Sequence, residues 1–292
     1  MPPALTIFTP TYNRAHTLPR LYQSLTEQES HDFVWLIVDD GSTDGTEGLV
    51  AQWKAEGKVV ISYHRQENGG KMRAHNRGVE LCQTELFVCI DSDDYLAGPK
   101  AVGDTLAFWE ENKDTVCRSD ISGLVSYRRM TRGRQAPFPD GLNTATLTEL
   151  YAQGFQGETT IVFKTDVLRR FPFPVEEGEK FITEAIVYDL MDERYRLLLH
   201  RYYMQVCEYQ ADGYTMNGMD TLLRNPRGYR RYYNQRVRLR KDSRRYNTQM
   251  FIALSLLIGD GKTMTLAADK WLTALCLPLG WYQYWKLKRG KW

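Results

Sequence analysis

Two acidic runs about 50 residues apart carry the side chains best suited to chemistry. Asp39-Asp40-Gly41-Ser42-Thr43-Asp44 follows the apolar run 33–38, and Asp91-Ser92-Asp93-Asp94 follows the apolar run 86–90. Hard divalent cations take oxygen ligands, and magnesium-class ions commonly use one or two carboxylates together with substrate phosphates. Asp91 and Asp93, two residues apart past a strand end, suit that task. Asp39 and Asp40 put two carboxylates at another strand end, where an Asp can accept the imide N–H of uracil or bond a ribose hydroxyl. Each run alone has a plainer use as an acidic turn capping the next helix, a use that Asp44 serves equally well. Paired, they point to a cleft that grips a nucleoside with one run and holds a metal against a diphosphate with the other.

Two further segments read as edges of the same cleft. Thr9-Pro10-Thr11-Tyr12-Asn13-Arg14 stands at the first strand-to-helix turn. Pro10 shapes that loop, Tyr12 offers a face for base stacking, and Arg14 can serve the loop or a phosphate. Asn68-Gly69-Gly70-Lys71, with Arg73, Ala74 and Asn76 after it, forms the other edge. The first turn holds no GxGxxG and the chain no GxxxxGK[ST], which counts against a dinucleotide-binding Rossmann site and against a P-loop.

These residues need strand ends to present them, and the pattern supplies such ends. Residues 4–9, 33–38, 58–63 and 86–90 are short β-rich runs. Between them Leu18, Leu21, Tyr22 and Leu25 recur at helical spacing, a helix runs from the Thr43-Asp44 region toward Lys54, and 71–82 is helical. Continuous apolar strands alternating with helices imply a mainly parallel sheet covered on both faces. Ligands in such open sheets bind beyond the carboxyl ends of the strands. After Tyr95 the rhythm loosens: strands are expected at 121–128, 159–164 and 197–209, with an amphipathic helix over 181–195.

The set TPTYNR, VDDGSTDGT, ENGGKMRAHNRG and DSDD, in this order and spacing, resembles the inverting family 2 glycosyltransferases of the GT-A fold. The resemblance covers roughly residues 4–215 and is most specific over the first 95. It implies an α/β, Rossmann-like, mixed and mainly parallel sheet flanked by helices. Residues 1–215 would be the transferase domain, with 1–115 its nucleotide-sugar half and 116–215 its acceptor half. Residues 216–292 would be a basic, aromatic helical extension. It implies a UDP-sugar donor met by Thr9, Pro10, Tyr12, Arg14, Asp40, Asn68, Lys71, Asp91 and Ser92, and Mn2+ or Mg2+ held by Asp93 with Asp91. Lys71 and Arg73 depart from the family pattern, filling slots often taken by small residues.

Inverting transfer needs a general base to take the acceptor hydroxyl's proton. In similar enzymes it is an Asp or Glu at the start of a helix beyond the acceptor-side strands. The segment Gly178-Glu179-Lys180-Phe181-Ile182-Thr183-Glu184 has that character, with Glu184 the first choice and Glu179 the second. The resemblance to bacterial surface-polysaccharide members extends to a lid at Asp212-Gly213, to Arg224 or Arg227 on the diphosphate, and to a glycan or polyprenyl-linked acceptor.

Composition bounds the rest. Five widely spread cysteines without a CxxC pair argue against a disulfide scaffold or zinc site and suit a reducing compartment. No secretory signal is visible, so a cytoplasmic protein is expected. The net charge of +2 hides an asymmetry, since residues 224–245 hold nine Arg and one Lys against Asp242, leaving −7 for the remainder. That basic stretch, interleaved with tyrosines, fits a solvated helix face, a nucleic-acid groove or a membrane surface. The Trp- and Tyr-rich segment 271–285, interrupted by Pro278 and followed by Lys286, Lys288, Arg289 and Lys291, is too short to span a bilayer. It favours peripheral contact with an anionic membrane at its inner face and no nucleic acid. The five histidines lack metal spacing and read as structural. A sugar-phosphate nucleotidyltransferase would expect a Gly-rich, Arg-containing loop where TPTYNR stands. A non-catalytic scaffold would have no use for Asp40, Asp91, Asp93 and Glu184.

Overall fold

The computed structural model describes residues 3–131, 135–208 and 217–290. The chain divides into two compact units, one of Met1–Pro172 with Leu190–Gln210 and one of Phe173–Asp189 with Ala211–Trp292.

In the first unit β1 (Leu5–Thr11), α1 (Leu18–Thr26), β2 (Phe33–Asp39), α2 (Thr46–Glu56), β3 (Ile61–Arg65), α3 (Lys71–Leu81) and β4 (Leu86–Cys89) alternate as expected. Then come β5 (Tyr95–Leu96), α4 (Ala101–Glu111), α5 (Lys113–Val116), β6 (Ile121–Met130), β7 (Thr144–Ala145), α6 (Leu147–Ala152), β8 (Glu158–Lys164), α7 (Thr165–Leu168) and finally β9 (Arg196–Cys207). Among the described residues the strands form one sheet in the order β3-β2-β1-β4-β8-β6-β9-β5, with β7 on β9. Strands β3, β2, β1 and β4 run parallel. Strand β8 enters antiparallel between β4 and β6, and β6 pairs parallel with β9. The parallel half therefore brings the carboxyl ends of β1, β2 and β4, with both acidic runs, to one edge.

Burial explains the parallel half. All seven residues of β1 are buried, so the strand is covered on both faces. Leu18, Leu21, Tyr22 and Leu25 turn the apolar stripe of α1 inward. Tyr22 stacks on Trp53 at 4.4 Å, and Trp35 lies 5.8 Å from the same indole. On α3, a Cβ at Gly78 would come within 2.3 Å of the Phe8 ring, so only glycine lets this helix lie so close to the sheet.

The second unit comprises α8 (Ala185–Met191, whose last two residues belong to the first unit), α9 (Gly218–Arg224), α10 (Pro226–Leu239), α11 (Arg244–Ile258), α12 (Thr263–Leu266) and α13 (Lys270–Lys288). Helix α11 is its core, with Met250, Phe251, Ile252, Ala253 and Leu254 all buried. Helix α13 packs against it through Gly280, where a Cβ would meet Ile252 at 2.4 Å. Much of the basic stretch is spent in ion pairs: Arg224–Asp220, Arg230–Asp260, Arg231–Glu176, Arg236–Asp242 and Arg244–Asp269.

Two expectations are corrected here. The helix expected over 181–195 is confined to Ala185–Met191. Upstream, the amides of Lys180 and Phe181 donate to Asn225 Oδ1 at 2.9 and 3.0 Å, so this backbone is committed to a side chain rather than to helical bonds. Downstream, Arg194 and Tyr195 turn back onto the Met191 carbonyl. The segment expected to break at Pro278 is instead a continuous 19-residue helix. Pro278 removes the bond to the Ala274 carbonyl, but both residues are exposed, so water can take its place. Among the described residues no helix is long and apolar enough to cross a membrane. The outward face of α13 is nonetheless apolar, with Trp271 85%, Leu275 77%, Trp281 57% and Tyr282 60% exposed.

Candidate active site

The first wall of the site is a clasp between two turns. The Asn13 amide donates to Ser42 Oγ at 2.9 Å, and Thr43 returns its amide to Asn13 Oδ1 at 2.8 Å. Asn13 sits at φ 54°, a left-handed conformation that asparagine tolerates better than most residues. Asp44 accepts the Ala15 amide and both the amide and hydroxyl of Thr46, so it closes the turn that leads into α2. Burial opposes its ionisation, but these hydrogen bonds outweigh it and hold the carboxyl below the usual range. Thr9 is fully buried and accepts the Trp35 indole N–H at 3.0 Å, and Pro10 is buried beside it. Tyr12 projects, 47% exposed.

The two carboxylates at the end of β2, Asp39 and Asp40, are buried. Asp39 takes the Ser42 amide at 2.8 Å and the Tyr63 hydroxyl at 2.6 Å. Burial, with Asp39's charge, pushes the Tyr63 phenol above its ordinary range. Asp40, 4% exposed, receives Gln66 Nε2 and the Gly69 amide on one oxygen, and Asn68 Nδ2 and the Gly70 amide on the other, at 2.7–3.1 Å. Four donors on one carboxylate form a rigid brace. Gly41 at φ +84° is needed alongside, because a Cβ there would stand 3.1 Å from the Asn68 nitrogen. Asp40 thus shapes the loop 66–70 that starts α3 with Lys71.

Lys71 reaches Asp91 at the end of β4, its ammonium 2.9 and 3.1 Å from the two oxygens. Burial would raise the Asp91 carboxyl, but Lys71 and Arg128 outweigh it and hold it low. Asp93 moves the other way, raised by burial and by the charge of Asp91, with Arg14 and Lys71 opposing. Ser92 is buried in the turn between them. Arg20 donates to the Asp93 carbonyl at 3.0 Å, pairs with Glu208 at 2.8 Å and lies over the Tyr95 ring.

Asp94 is the residue whose role the sequence did not suggest. Its carboxylate takes Gln205 Nε2 at 2.8 Å and the Glu208 amide at 3.3 Å, with Arg128 at 3.7 Å. Burial, aided by the charges of Asp91 and Asp93 and opposed by Arg128, pushes it up to about 7. Arg128 also pairs with Glu158 at 3.2 Å. The available signal was weak: Arg128 stands beside Arg129 at the end of β6, and Gln205 lies among the apolar residues Met204 and Val206 of β9.

A divalent cation fits this turn in one way. Among the described residues no group of three or more His, Cys, Asp or Glu side chains is arranged to hold a metal. Asp91 and Asp93 offer two hard carboxylates, the kind of set completed by substrate phosphates. Burial, and after it the charge of Asp91, raises the Asp93 carboxyl, and a cation between the two would offset both.

Glu179 and Glu184 belong to the second unit. Glu179 accepts the amides of Arg227 and Gly228 at 2.7 and 2.8 Å, so it caps the start of α10. Burial nonetheless raises its carboxyl, outweighing those bonds. Glu184 precedes α8, its carbonyl accepting the amides of Val187 and Tyr188. The Tyr229 phenol is pushed up to about 12 by burial and by the charge of Glu184. Arg224 pairs with Asp220, and Arg227 donates to the Glu177 carbonyl. Asp212 and Gly213 lie outside the described residues.

The family model of glycosyl transferase family 2 matches residues 6–173. The poly(ribitol-phosphate) beta-N-acetylglucosaminyltransferase TarS of Staphylococcus aureus is 28% identical over 120 residues, 40% of this chain and 21% of that protein. The validoxylamine A glucosyltransferase of Streptomyces hygroscopicus is 38% identical over 109 residues, 36% of this chain and 25% of that protein. The matched stretch thus spans only a fifth to a quarter of these curated relatives' length. The crystal structure of TarS 1–349 with UDP-GlcNAc has the same fold, with a TM-score of 0.63 at 15% identity over 99% of this chain and 93% of that one. A mannosyltransferase from Pyrobaculum calidifontis, solved with GDP-Man and Mn2+, gives a TM-score of 0.57 at 16% identity over 98% and 88%. The mixed α/β fold expected from the motifs is therefore the fold of this chain.

Proposed function

Because the chain belongs to glycosyl transferase family 2, we propose that it moves a sugar with inversion from a UDP-sugar to a hydroxyl of a glycan or polyprenyl-linked acceptor, in assembly of a cell-surface polysaccharide. The observation that carries the donor half is the meeting of Lys71 with Asp91, beside Asp93, past the end of a strand in the parallel half of the sheet. This is where open α/β sheets bind ligands. A relative named for action on poly(ribitol phosphate) and a neighbour solved with UDP-GlcNAc support the choice of donor and polymer.

In this reading Tyr12 stacks on the base. Asp40, through Asn68, Gly69 and Gly70, sets the loop that receives the nucleotide, while Thr9, Pro10 and Ser92 shape the turns from within. Asp93 with Asp91 would hold Mn2+ or Mg2+, which when bound supplies positive charge to the departing diphosphate. Lys71 and Arg14 add cationic side chains beside the same turn. Glu184 takes the proton of the acceptor hydroxyl as it attacks the anomeric carbon. Glu179 has both oxygens engaged by α10, and this favours Glu184 as the base.

We assign the enzyme to the inner face of the cell membrane, bound peripherally through α13. Trp271, Leu275, Trp281 and Tyr282 lie on its outward face, and Lys270, Lys286, Lys288 and Arg289 bracket them. Interfacial aromatics flanked by cations match an anionic bilayer surface.

A thermal-shift screen of UDP-, GDP- and dTDP-sugars, with and without Mn2+, tests the donor assignment, since a ligand that binds only the folded state raises Tm. A UDP-sugar should stabilise the protein in the presence of Mn2+ and be turned over to UDP. Stabilisation by none of the nucleotide-sugars would remove the reading.

A further inference from the structure

Lys71 is the first residue of α3, and its position is imposed from outside the helix. Gly70 before it adopts φ 96° and gives its amide to Asp40, so the start of α3 is pinned to the end of β2. From there the ammonium reaches both oxygens of Asp91. The two side chains are only 18% and 29% exposed, so solvent and salt screen this pair less than a surface ion pair. Asp94, the third acid of the turn, is separately engaged by Gln205, the Glu208 amide and Arg128. Among the described residues Lys71 thus pairs directly with Asp91, at 2.9 Å.

A divalent cation shared between Asp91 and Asp93 would draw on the same Asp91 carboxylate. Cation and ammonium carry like charge, so the two compete for Asp91. An ammonium at the first position of α3 would still stand among the amides and positive dipole end of that helix, an environment that favours an anion. The anion that accompanies the cation is a diphosphate.

We propose that Lys71 is an exchangeable counter-ion: it neutralises Asp91 in the unliganded protein and transfers to the diphosphate when cation and nucleotide bind together. The proposal rests on the donor-site reading above. It makes the two ligands interdependent, because either alone must work against the Lys71–Asp91 pair. Linkage then requires that each tighten the other by the same factor.

Mn2+ affinity measured by electron paramagnetic resonance, with and without UDP, tests this on the full chain and on Lys71→Met, Lys71→Arg and Asp93→Asn. Lys71→Met keeps the length of the side chain and removes its charge. It should bind Mn2+ alone about tenfold more tightly than the parent, and UDP should tighten that binding less, both within the usual range of coupling between sites. Lys71→Arg should restore weak binding of Mn2+ alone. Equal affinity of the parent and Lys71→Met for Mn2+ alone, with binding abolished in Asp93→Asn, would overturn the exchange while leaving the cation site intact. Absence of Mn2+ binding in every protein, even with UDP, would overturn both the cation reading and the exchange. Circular dichroism of each variant separates these outcomes from loss of fold.

Discussion

The carboxylate of Asp40 and the amide of Gly70 meet at 2.7 Å, joining the end of β2 to the residue just before α3. The other Asp40 oxygen takes Gly69, so each oxygen holds one backbone donor that has no strand partner. Asp40→Asn cannot satisfy both sides, because its NH2 must face donors whichever way the amide is turned. The expected cost is about 1–3 kcal/mol, or roughly 2–4 °C in Tm for each kcal/mol, together with weaker UDP binding. Thermal melts alongside UDP titration check this, and an unchanged Tm would mean the loop holds its shape without the brace.

Asp93→Asn should leave the fold unchanged and abolish the Mn2+-dependent part of UDP binding, because it removes one of the two carboxylates open to a hard cation. Calorimetric titration of UDP with and without Mn2+ measures it. Retention of the full metal effect would take Asp93 out of that role.

Glu184→Gln and Glu179→Gln should fail differently. The first should preserve Tm and donor affinity while lowering transfer by roughly 10²-fold or more, the scale of general-base catalysis. The second weakens the cap on α10 and should lower Tm by the equivalent of about 1–2 kcal/mol. Turnover and melting curves on both variants decide the assignment, and the reverse pattern would move the base to Glu179.

Stability should fall on mild acidification because two histidines are buried without charge. Burial pushes His200 down to about 4, and burial with the charge of Lys71 pushes His75 down to about 3. Below pH of about 6.5 the unfolded chain takes up protons that the folded chain refuses, so unfolding gains up to about 1.4 kcal/mol per pH unit for each group until the folded pKa is reached. His200 stacks on Phe108 at 4.6 Å and bonds Ser126 at 3.0 Å. His200→Gln should therefore cost some stability at pH 7.5 but make the decline toward pH 5 shallower. Urea melts across that range measure both, and an equally steep decline in the variant would exclude His200 as a source.

Full-length protein should sediment with vesicles containing phosphatidylglycerol and less with neutral ones, and binding should weaken with salt. Each Lys or Arg near the anionic surface contributes about 1 kcal/mol. Trp281→Glu combined with Trp285→Glu should release the protein without lowering its Tm, since both side chains face outward. If those substitutions instead dissociate a dimer in sedimentation velocity and leave vesicle binding unchanged, the face belongs to a second copy.

The parallel half of the fold and its strand-end acids could be read from local pattern, because each β1-to-β4 element carries its own apolar run and its own turn residues. Asp91 and Asp93 were evident for the same reason. Asp94's partners were not: Arg128, Gln205 and the Glu208 amide come from strand ends 34 to 114 residues away, and no local period announces such a cluster. The helix expected over 181–195 failed through a competing side chain, Asn225, whose oxygen claims two amides at its start. Pro278 misled in the opposite sense, because a missing bond on a wet face costs a helix little.

The insertion of β8 between β4 and β6 sets an order on the birth of the molecule. Val88 finds Val162 as its neighbour, so the outer edge of β4 waits for a strand made roughly 70 residues later, or about 4 to 15 seconds of synthesis at ordinary rates. During that interval the nascent chain offers Leu86, Phe87 and Val88 as an open apolar edge, the kind that invites pairing with another chain. Slow translation through 90–158 would lengthen this exposure. The yield of soluble protein should therefore respond to codon choice and chaperone supply in that interval more than anywhere upstream.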